Sequence, residues 1–398
     1  MKKVLLFLSC LLILPNFIKA SGTEAVIKEV AKEQSSNISL ASKAGSAILI
    51  EASTGEILFE KNANEKMAPA SMTKMMSMLV IIENIEKGVI KWDDVITASE
   101  NASSMGGSQI LLETGEKMTV TDLFKGVAVA SGNDAVVALA EAIAGTTDEF
   151  VRMMNEKAKE LGLKNTNFKN PHGLEEANHY SSAYDMAMIA KELVKHEKVL
   201  EFTVIYDDYL RKGTDREFWL VNTNKLVRYY TGVDGLKTGF TNEAGYCLTA
   251  TAKKNNMRLI AVVMKEESSA VRNAEVTSML DYGFAQYKID ELVGRNKVVA
   301  KVEIDKGEEK YAEIVPINEA TILNKKTDNI GEITYDLKLD NIKAPVKVGD
   351  KVGILEIKEN GKKIREVPIT VNKDVKKAGF LNLYWRYLSD IIGGAIKF

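Results

Sequence analysis

Three short clusters in this chain carry side chains that could do chemistry together. In Ser71-Met72-Thr73-Lys74 a hydroxyl and an amine stand three residues apart. On a helix such residues share a face, so the Lys74 amine can reach the Ser71 oxygen. A serine attacks at neutral pH only when a base takes its proton. Lysine can be that base where burial and nearby positive charge keep it neutral. This is the only Ser-x-x-Lys in the chain, and its lysine opens an otherwise apolar run, Met75–Ile82, where an ammonium needs a reason to be. At the start of a helix, Ser71 would also find backbone donors for an oxyanion. The second cluster, Ser131-Gly132-Asn133, puts a hydroxyl and a carboxamide where they could relay a proton and hold an amide, although both residues also make ordinary helix caps. The third, Lys237-Thr238-Gly239, offers an ammonium and a hydroxyl to a carboxylate, with a glycine that lets a backbone come close. Taken alone, it also reads as a solvated turn.

Together and in this order, the clusters resemble the low-molecular-mass penicillin-binding proteins, the D-alanyl-D-alanine carboxypeptidase family. Asp234-Gly235-Leu236, Asn170-Pro171-His172-Gly173-Leu174 and Ala244-Gly245-Tyr246 add to the likeness, which covers roughly residues 40–398. The resemblance implies a substrate, the peptidoglycan stem peptide ending in D-Ala-D-Ala, with β-lactam antibiotics as acylating inhibitors and no cofactor. It implies Ser71 as nucleophile, Lys74 as base and Ser131 as proton relay. Asn133 would hold the substrate amide, and Lys237, Thr238 and Gly239 the terminal carboxylate. The backbone N–H groups of Ser71 and Phe240 would form the oxyanion hole, with Arg272 near the carboxylate. Phe240 stands where family members often have histidine. A β-lactamase on the same scaffold would need a deacylating carboxylate, and Glu175-Glu176-Ala177-Asn178 lacks the Leu-Asn ending that usually accompanies one. An endopeptidase or transpeptidase remains a rival, as does a non-catalytic wall-binding protein.

These clusters need a scaffold, and the sequence outlines an α+β one. Ala47–Glu51 and Glu56–Glu60 flank the turn Ser53-Thr54-Gly55 as a hairpin. The apolar stretch Met72–Ile85 predicts a helix buried on all sides. Another helix starts near Asp134. Thr146 and Glu149 are spaced as a capping box for a third, which carries Phe150, Met153, Met154 and Leu161 inward. Strands at Gly245–Ala252 and Arg258–Met264 and a helix at Val271–Tyr282 complete an antiparallel sheet covered by helices, a β-lactamase/transpeptidase-like domain over residues 44–290. Short strands at Val298–Ile304, Glu313–Pro316, Ile333–Leu339, Lys351–Ile357 and Ile364–Val371 then predict a small all-β sandwich over residues 296–374. Residues 375–398 show helical spacing of apolar residues with Lys376, Lys377, Arg386 and Lys397 at the edge, as in a helix lying on an anionic membrane surface.

At the other end, Lys2-Lys3, the apolar run Val4–Leu14 and a short segment ending at Ala20 read as a signal peptide over residues 1–20, followed by a polar linker over residues 21–43. The expected location is therefore outside the cytoplasmic membrane, peripherally attached in the cell-wall space. Removing the signal takes away three lysines and no acids, which leaves a mildly acidic chain with nothing to attract nucleic acid. Cys247 would be the one remaining cysteine, read as a core residue in a strand, so no internal disulfide is expected. None of the three histidines, His172, His179 and His196, is grouped with metal-ligand spacing.

Overall fold

The computed structural model describes residues 40–392. The expected signal peptide and nearly all of the linker lie outside the described residues, as do residues 393–398.

The chain opens with the expected hairpin, β1 (Ser46–Glu51) and β2 (Ile57–Lys61). A single 3-10 turn, Ala70–Thr73, then passes directly into helix α1 (Lys74–Glu86). Met75, Met76, Met78, Leu79 and Ile81 of α1 are fully buried, so the helix runs through the domain centre. A small hairpin, β3 (Val95–Thr97) with β4 (Lys117–Thr119), encloses the short helix α2 (Glu100–Ser103) and a long loop. Next come α3 (Val120–Ala130), α4 (Asn133–Ala144), α5 (Thr147–Glu160), α6 (Ala183–Leu193) and α7 (Glu197–Thr203). The first four of these pack on α1, and α7 packs on α3. The Thr119, Thr146 and Ser182 hydroxyls each accept the N–H three residues on, satisfying donors that a helix start leaves orphaned.

A second small hairpin, β5 (Asp207–Leu210) and β6 (Phe218–Val221), and the short helix α8 (Leu226–Tyr229) lead to three long strands. These are β7 (Val233–Thr241), β8 (Gly245–Lys254) and β9 (Met257–Glu266), followed by helix α9 (Ser269–Gln286). The main sheet has the order β2-β1-β9-β8-β7, which makes β7 an edge strand. Ile48, Ile50, Ile260 and Val262 face the core built on α1; Ala47, Leu49, Leu259 and Ala261 face Val276, Met279 and Leu280 of α9. With helices on both faces, the middles of β1 and β9, Ala47–Ile50 and Leu259–Met264, are continuous apolar runs rather than alternating ones, while β8 buries Thr249 and Thr251 among its apolar residues.

Straight after α9, β10 (Tyr287–Val293) pairs with β13 (Ala320–Lys325). A five-stranded antiparallel sheet is formed by β11 (Ala300–Glu303), β12 (Tyr311–Pro316), β14 (Ile333–Leu339), β15 (Gly353–Glu359) and β16 (Lys362–Val371). Ile304, Ile314, Leu355, Ile357, Ile369 and Val371 give this β region its own core. It meets the first hairpin through Ser53 Oγ and Thr321 Oγ1, 3.0 Å apart, and through Arg365 Nη2 donating to Ser53 O at 3.3 Å. The last element, α10 (Phe380–Ile392), leaves Phe380, Leu381, Tyr384, Trp385 and Ile392 exposed. Arg386, expected on a lipid-facing edge, instead donates to Gly307 O and Glu308 O at 2.9 Å each and ties α10 to the β region; Lys397 lies outside the described residues. Among the described residues no helix is long and apolar enough to cross a membrane.

Candidate active site

Ser71 lies inside the 3-10 turn, one step earlier than the α-helical first turn that the sequence suggested. The turn still brings the two groups together, with Lys74 Nζ donating to Ser71 Oγ at 3.0 Å. Lys74 is fully buried and also donates to Asn133 Oδ1 at 2.6 Å and to the His172 carbonyl at 2.7 Å. Burial first, and then the charge of Lys237, push its amine well below the ordinary lysine range, while Asp134 works the other way. Among the described residues Lys74 has only neutral hydrogen-bond partners, so nothing anionic touches it to hold the proton in place.

Between α3 and α4, Ser131 adopts a left-handed conformation at φ 64°, uncommon for a residue with a Cβ and often seen where a site fixes a side chain. Its Oγ is buried and makes no hydrogen bond among the described residues. Asn133 is engaged at both ends, its Oδ1 on Lys74 and its Nδ2 on Gly106 O at 2.6 Å. The next residue, Asp134, was read in the sequence only as a helix start. Its buried carboxylate accepts from the N–H of Ile110 at 3.1 and 3.0 Å, of Leu112 at 3.0 Å and of Ala135 at 2.8 Å, which fastens the neighbouring loop to α4.

The third cluster lies on β7, and Lys237 is fully buried rather than a solvated turn residue. Burial, with the charge of Arg272 second, brings its amine down to about 7. Thr238 Oγ1 donates to Thr223 Oγ1 at 2.8 Å. At Gly239 a Cβ would come within 2.7 Å of Pro69 O, 3.1 Å of Ala70 Cβ and 3.3 Å of Met72 N. This glycine therefore lets β7 press against the turn that carries Ser71, and the room it makes is used by the protein's own backbone. Phe240 is half-exposed, its ring 4.4 Å from that of Tyr246. Arg272 is buried on α9, with Nε and Nη2 on Asn273 Oδ1 at 3.1 and 3.0 Å. It reaches the other site residues through its charge on Lys237.

The floor is the segment Asn170–Leu174. Gly173 sits at φ +89°, and a Cβ there would fall 1.9 Å from Ala70 O, so only glycine fits beneath the turn. Pro171 O accepts from Ser77 Oγ at 2.6 Å, and Asn170 Oδ1 accepts from Gly173 N at 2.7 Å. His179 Nδ1 accepts the Lys169 N–H at 3.0 Å, so Nε2 carries the proton and donates to Thr73 Oγ1 at 2.8 Å. Burial holds this ring at about 4, hence neutral. His172 contributes its carbonyl to Lys74, while its ring Nδ1 accepts from Leu174 N at 3.2 Å. Cys247 is buried in β8, and burial raises its thiol to about 11, a core residue as expected.

Comparison with known proteins identifies the family to which the chain belongs. Residues 30–268 match the peptidase family described as D-alanyl-D-alanine carboxypeptidase, and residues 287–377 match the domain described as penicillin-binding protein 5, C-terminal domain. The chain is 54% identical over 352 residues to D-alanyl-D-alanine carboxypeptidase DacF of Bacillus subtilis (strain 168), covering 88% of this chain and 90% of that relative. It is 33% identical over 356 residues to D-alanyl-D-alanine carboxypeptidase DacC of Escherichia coli (strain K12), covering 86% of each. Among solved structures, penicillin-binding protein 5 from Haemophilus influenzae superposes with a TM-score of 0.67 at 33% identity, over 84% of this chain and 98% of that one. Penicillin-binding protein D2 from Listeria monocytogenes in its cefotaxime-bound form gives 0.56 at 30% identity, over 62% and 99%. With both of its regions matched in order, this chain belongs to the D-alanyl-D-alanine carboxypeptidase family of serine peptidases, the low-molecular-mass penicillin-binding proteins.

Proposed function

We propose that this protein removes the terminal D-alanine from peptidoglycan stem peptides through an acyl-enzyme on Ser71, and that β-lactams acylate the same oxygen. One observation carries the reading: a buried Lys74 amine 3.0 Å from Ser71 Oγ, pushed toward its neutral form by burial and by Lys237. Neutral Lys74 takes the Ser71 proton as the oxygen attacks the penultimate carbonyl. The oxyanion is received by the N–H groups of Ser71 and Phe240. Collapse breaks the peptide bond, and Ser131 relays the proton that Lys74 took to the leaving D-alanine amine, which returns Lys74 to its neutral form. Water, deprotonated by Lys74, then opens the ester and restores Ser71. Lys237 and Thr238 take the terminal carboxylate, with Gly239 holding β7 against Ser71 and Arg272 adding positive charge behind Lys237. Asn133 holds Lys74 and offers its carboxamide to the substrate amide. Support comes from the carboxypeptidase relatives and from the cefotaxime-bound neighbour.

In this reading the chain is exported by residues 1–20 and continues through a linker over residues 21–43, a peptidase domain over residues 44–290, a β domain over residues 296–374 and a membrane-attaching tail over residues 375–398. The exposed Phe380, Leu381, Tyr384, Trp385 and Ile392 follow helical spacing along α10, an apolar stripe that a lipid surface would cover. Mass spectrometry of the products from a pentapeptide ending in D-Ala-D-Ala tests the chemistry. Loss of one D-alanine by the protein, and not by Ser71→Ala, is expected. Cleavage only of cross-linked dimers would make it an endopeptidase, and no product at all would sink the catalytic reading.

A further inference from the structure

The wall of the site that carries Asn133 is held by a loop of residues 105–116 that does no chemistry in the mechanism above. Ser108 O accepts the Asn133 N–H at 2.7 Å, and Gly106 O accepts Asn133 Nδ2 at 2.6 Å. Asp134 fastens the loop's N–H groups from the α4 side, and the loop carbonyls are held from the opposite side. Arg211, at the turn of the β5–β6 hairpin, donates through Nη1 to Ile110 O at 3.0 Å and through Nη2 to Leu111 O at 3.3 Å. Arg216 Nη2 donates to the same Leu111 O at 2.9 Å. Both guanidinium groups close on Glu116, Arg211 at 2.5 and 3.2 Å and Arg216 at 2.9 Å. The side chains of Arg211 and Glu116 are only 10% and 12% exposed, which distinguishes the pair from an ordinary surface bridge. Burial works against the Glu116 charge, yet Arg211, the Glu113 N–H and Arg216 hold its carboxyl below the usual range. Leu111, gripped by both arginines through its carbonyl, stands at φ 57° and is 56% exposed, so its left-handed backbone is not fixed by burial of the side chain.

We propose that Arg211, assisted by Arg216 and Glu116, is a positioning residue for acylation: it clamps loop 105–116 so that Gly106 and Ser108 hold Asn133, and Asn133 holds Lys74. The inference rests on Ser71 and Lys74 acting as described above. The fork of one guanidinium spans two carbonyls and a carboxylate at once, which a lysine ammonium does not reproduce. Releasing the clamp leaves the Ser71–Lys74 pair on its own helix but loosens the Asn133 acceptor on Lys74. A carbonyl acceptor stabilises the ammonium more than the amine, so its loss lowers the Lys74 pKa further.

The experiment is the second-order rate of acylation of the purified protein by a fluorescent penicillin across pH, with thermal unfolding measured alongside. Arg211→Ala should lower the maximal rate by about 10–100-fold, the scale of a misplaced catalytic group, and move the acid limb of the profile to lower pH. Arg211→Lys should restore part of the rate. Ile357→Val, in the core of the β region, supplies a variant that loses stability without touching the loop and should acylate normally. The limb shift and the partial rescue are readouts that a merely destabilised fold does not give. If Arg211→Ala fails to fold, Arg211→Lys and Glu116→Gln carry the same comparison. Acylation of Arg211→Ala within about twofold of the unmodified protein with an unmoved limb overturns the clamp, as does an equal loss in Ile357→Val. Failure of the unmodified protein to label at Ser71 would instead overturn the reading on which the clamp rests.

Discussion

Gly239→Ala is a one-methyl perturbation whose consequence can be worked from the structure. The added Cβ would meet Pro69 O at 2.7 Å, closer than real Cβ contacts come, with Ala70 Cβ at 3.1 Å and Met72 N at 3.3 Å. Two of these three atoms are backbone, so no side-chain rotation relieves them. Neither partner yields easily. β7 is paired along its length with β8, and the 3-10 turn continues without a break into α1 at the centre of the core. The strand must therefore separate from the turn by several tenths of an ångström, and that gap lies between Ser71 and the Lys237, Thr238 and Phe240 positions. Overpacking of this kind costs about 1–3 kcal/mol, a fall in Tm of roughly 2–10 °C for a domain of this size. The kinetic loss should be larger in proportion, because misplacement by about 1 Å costs about 100-fold in rate; a tenfold to 100-fold drop in acylation by a fluorescent penicillin is expected. Gly379→Ala, where a Cβ meets nothing within 4 Å, is the matched control and should change neither quantity. A Gly239→Ala protein that acylates at the unmodified rate would show that the contact between β7 and the Ser71 turn does not set the geometry of attack.

Other consequences follow from the same site. Lys74→Arg should abolish acylation in a stopped-flow penicillin assay, since a guanidinium stays protonated and cannot accept the Ser71 proton; measurable acylation would remove Lys74 from the role of base. Lys237 is brought down to about 7, and only its charged form attracts a carboxylate, so kcat/KM for a D-Ala-D-Ala peptide should fall as pH rises above about 7 in the free enzyme. Lys237→Arg should lose that alkaline limb, and a limb that stays in place would assign it to another group. Deleting residues 376–398 should abolish flotation with anionic liposomes while leaving turnover of a soluble peptide intact. With Arg386 bound to the β region, the apolar stripe should dominate, so raising the salt should weaken flotation of the full chain only in part. Equal flotation of both proteins would refute the tail as the attachment.

How far the sequence could be read depended on how local each interaction is. The Ser71–Lys74 pair was legible because a helical turn fixes it within four residues, and the Thr146 cap was legible for the same reason. The strands β8 and β9 were legible as two extended, mostly apolar segments. β7 did not, because Gly235, Lys237 and Gly239 break up its pattern. Those residues are there for reasons that spacing does not carry: Gly239 for a turn nearly 170 residues earlier, and Lys237 to bring a charge that its own strand has to bury. Asp134 could have been suspected as an acid directly after Ser131-Gly132-Asn133, but a helix N-terminus is where acids ordinarily stand, so its grip on Ile110 and Leu112 had no separate signal. The β5–β6 hairpin and its Arg211 had none either, since the carbonyl that Arg211 binds lies about 100 residues away in the chain.

The glycines connect these cases. Gly173 and Gly239 approach the same short turn from two directions, one beneath Ala70 and the other beside Pro69, Ala70 and Met72. While Lys74 Nζ holds the hydroxyl itself at 3.0 Å, the turn that carries Ser71 is thus placed largely by close backbone approach at these two glycines. Such packing tolerates no added methyl and brings no net charge to the site, so the charged groups around it remain available for chemistry. That division of labour accounts for a site with two buried lysines and, among the described residues, no carboxylate touching Lys74. The geometry is set by shape, and in the proposed mechanism the positive charge of Lys237 and Arg272 is left for the substrate carboxylate to balance.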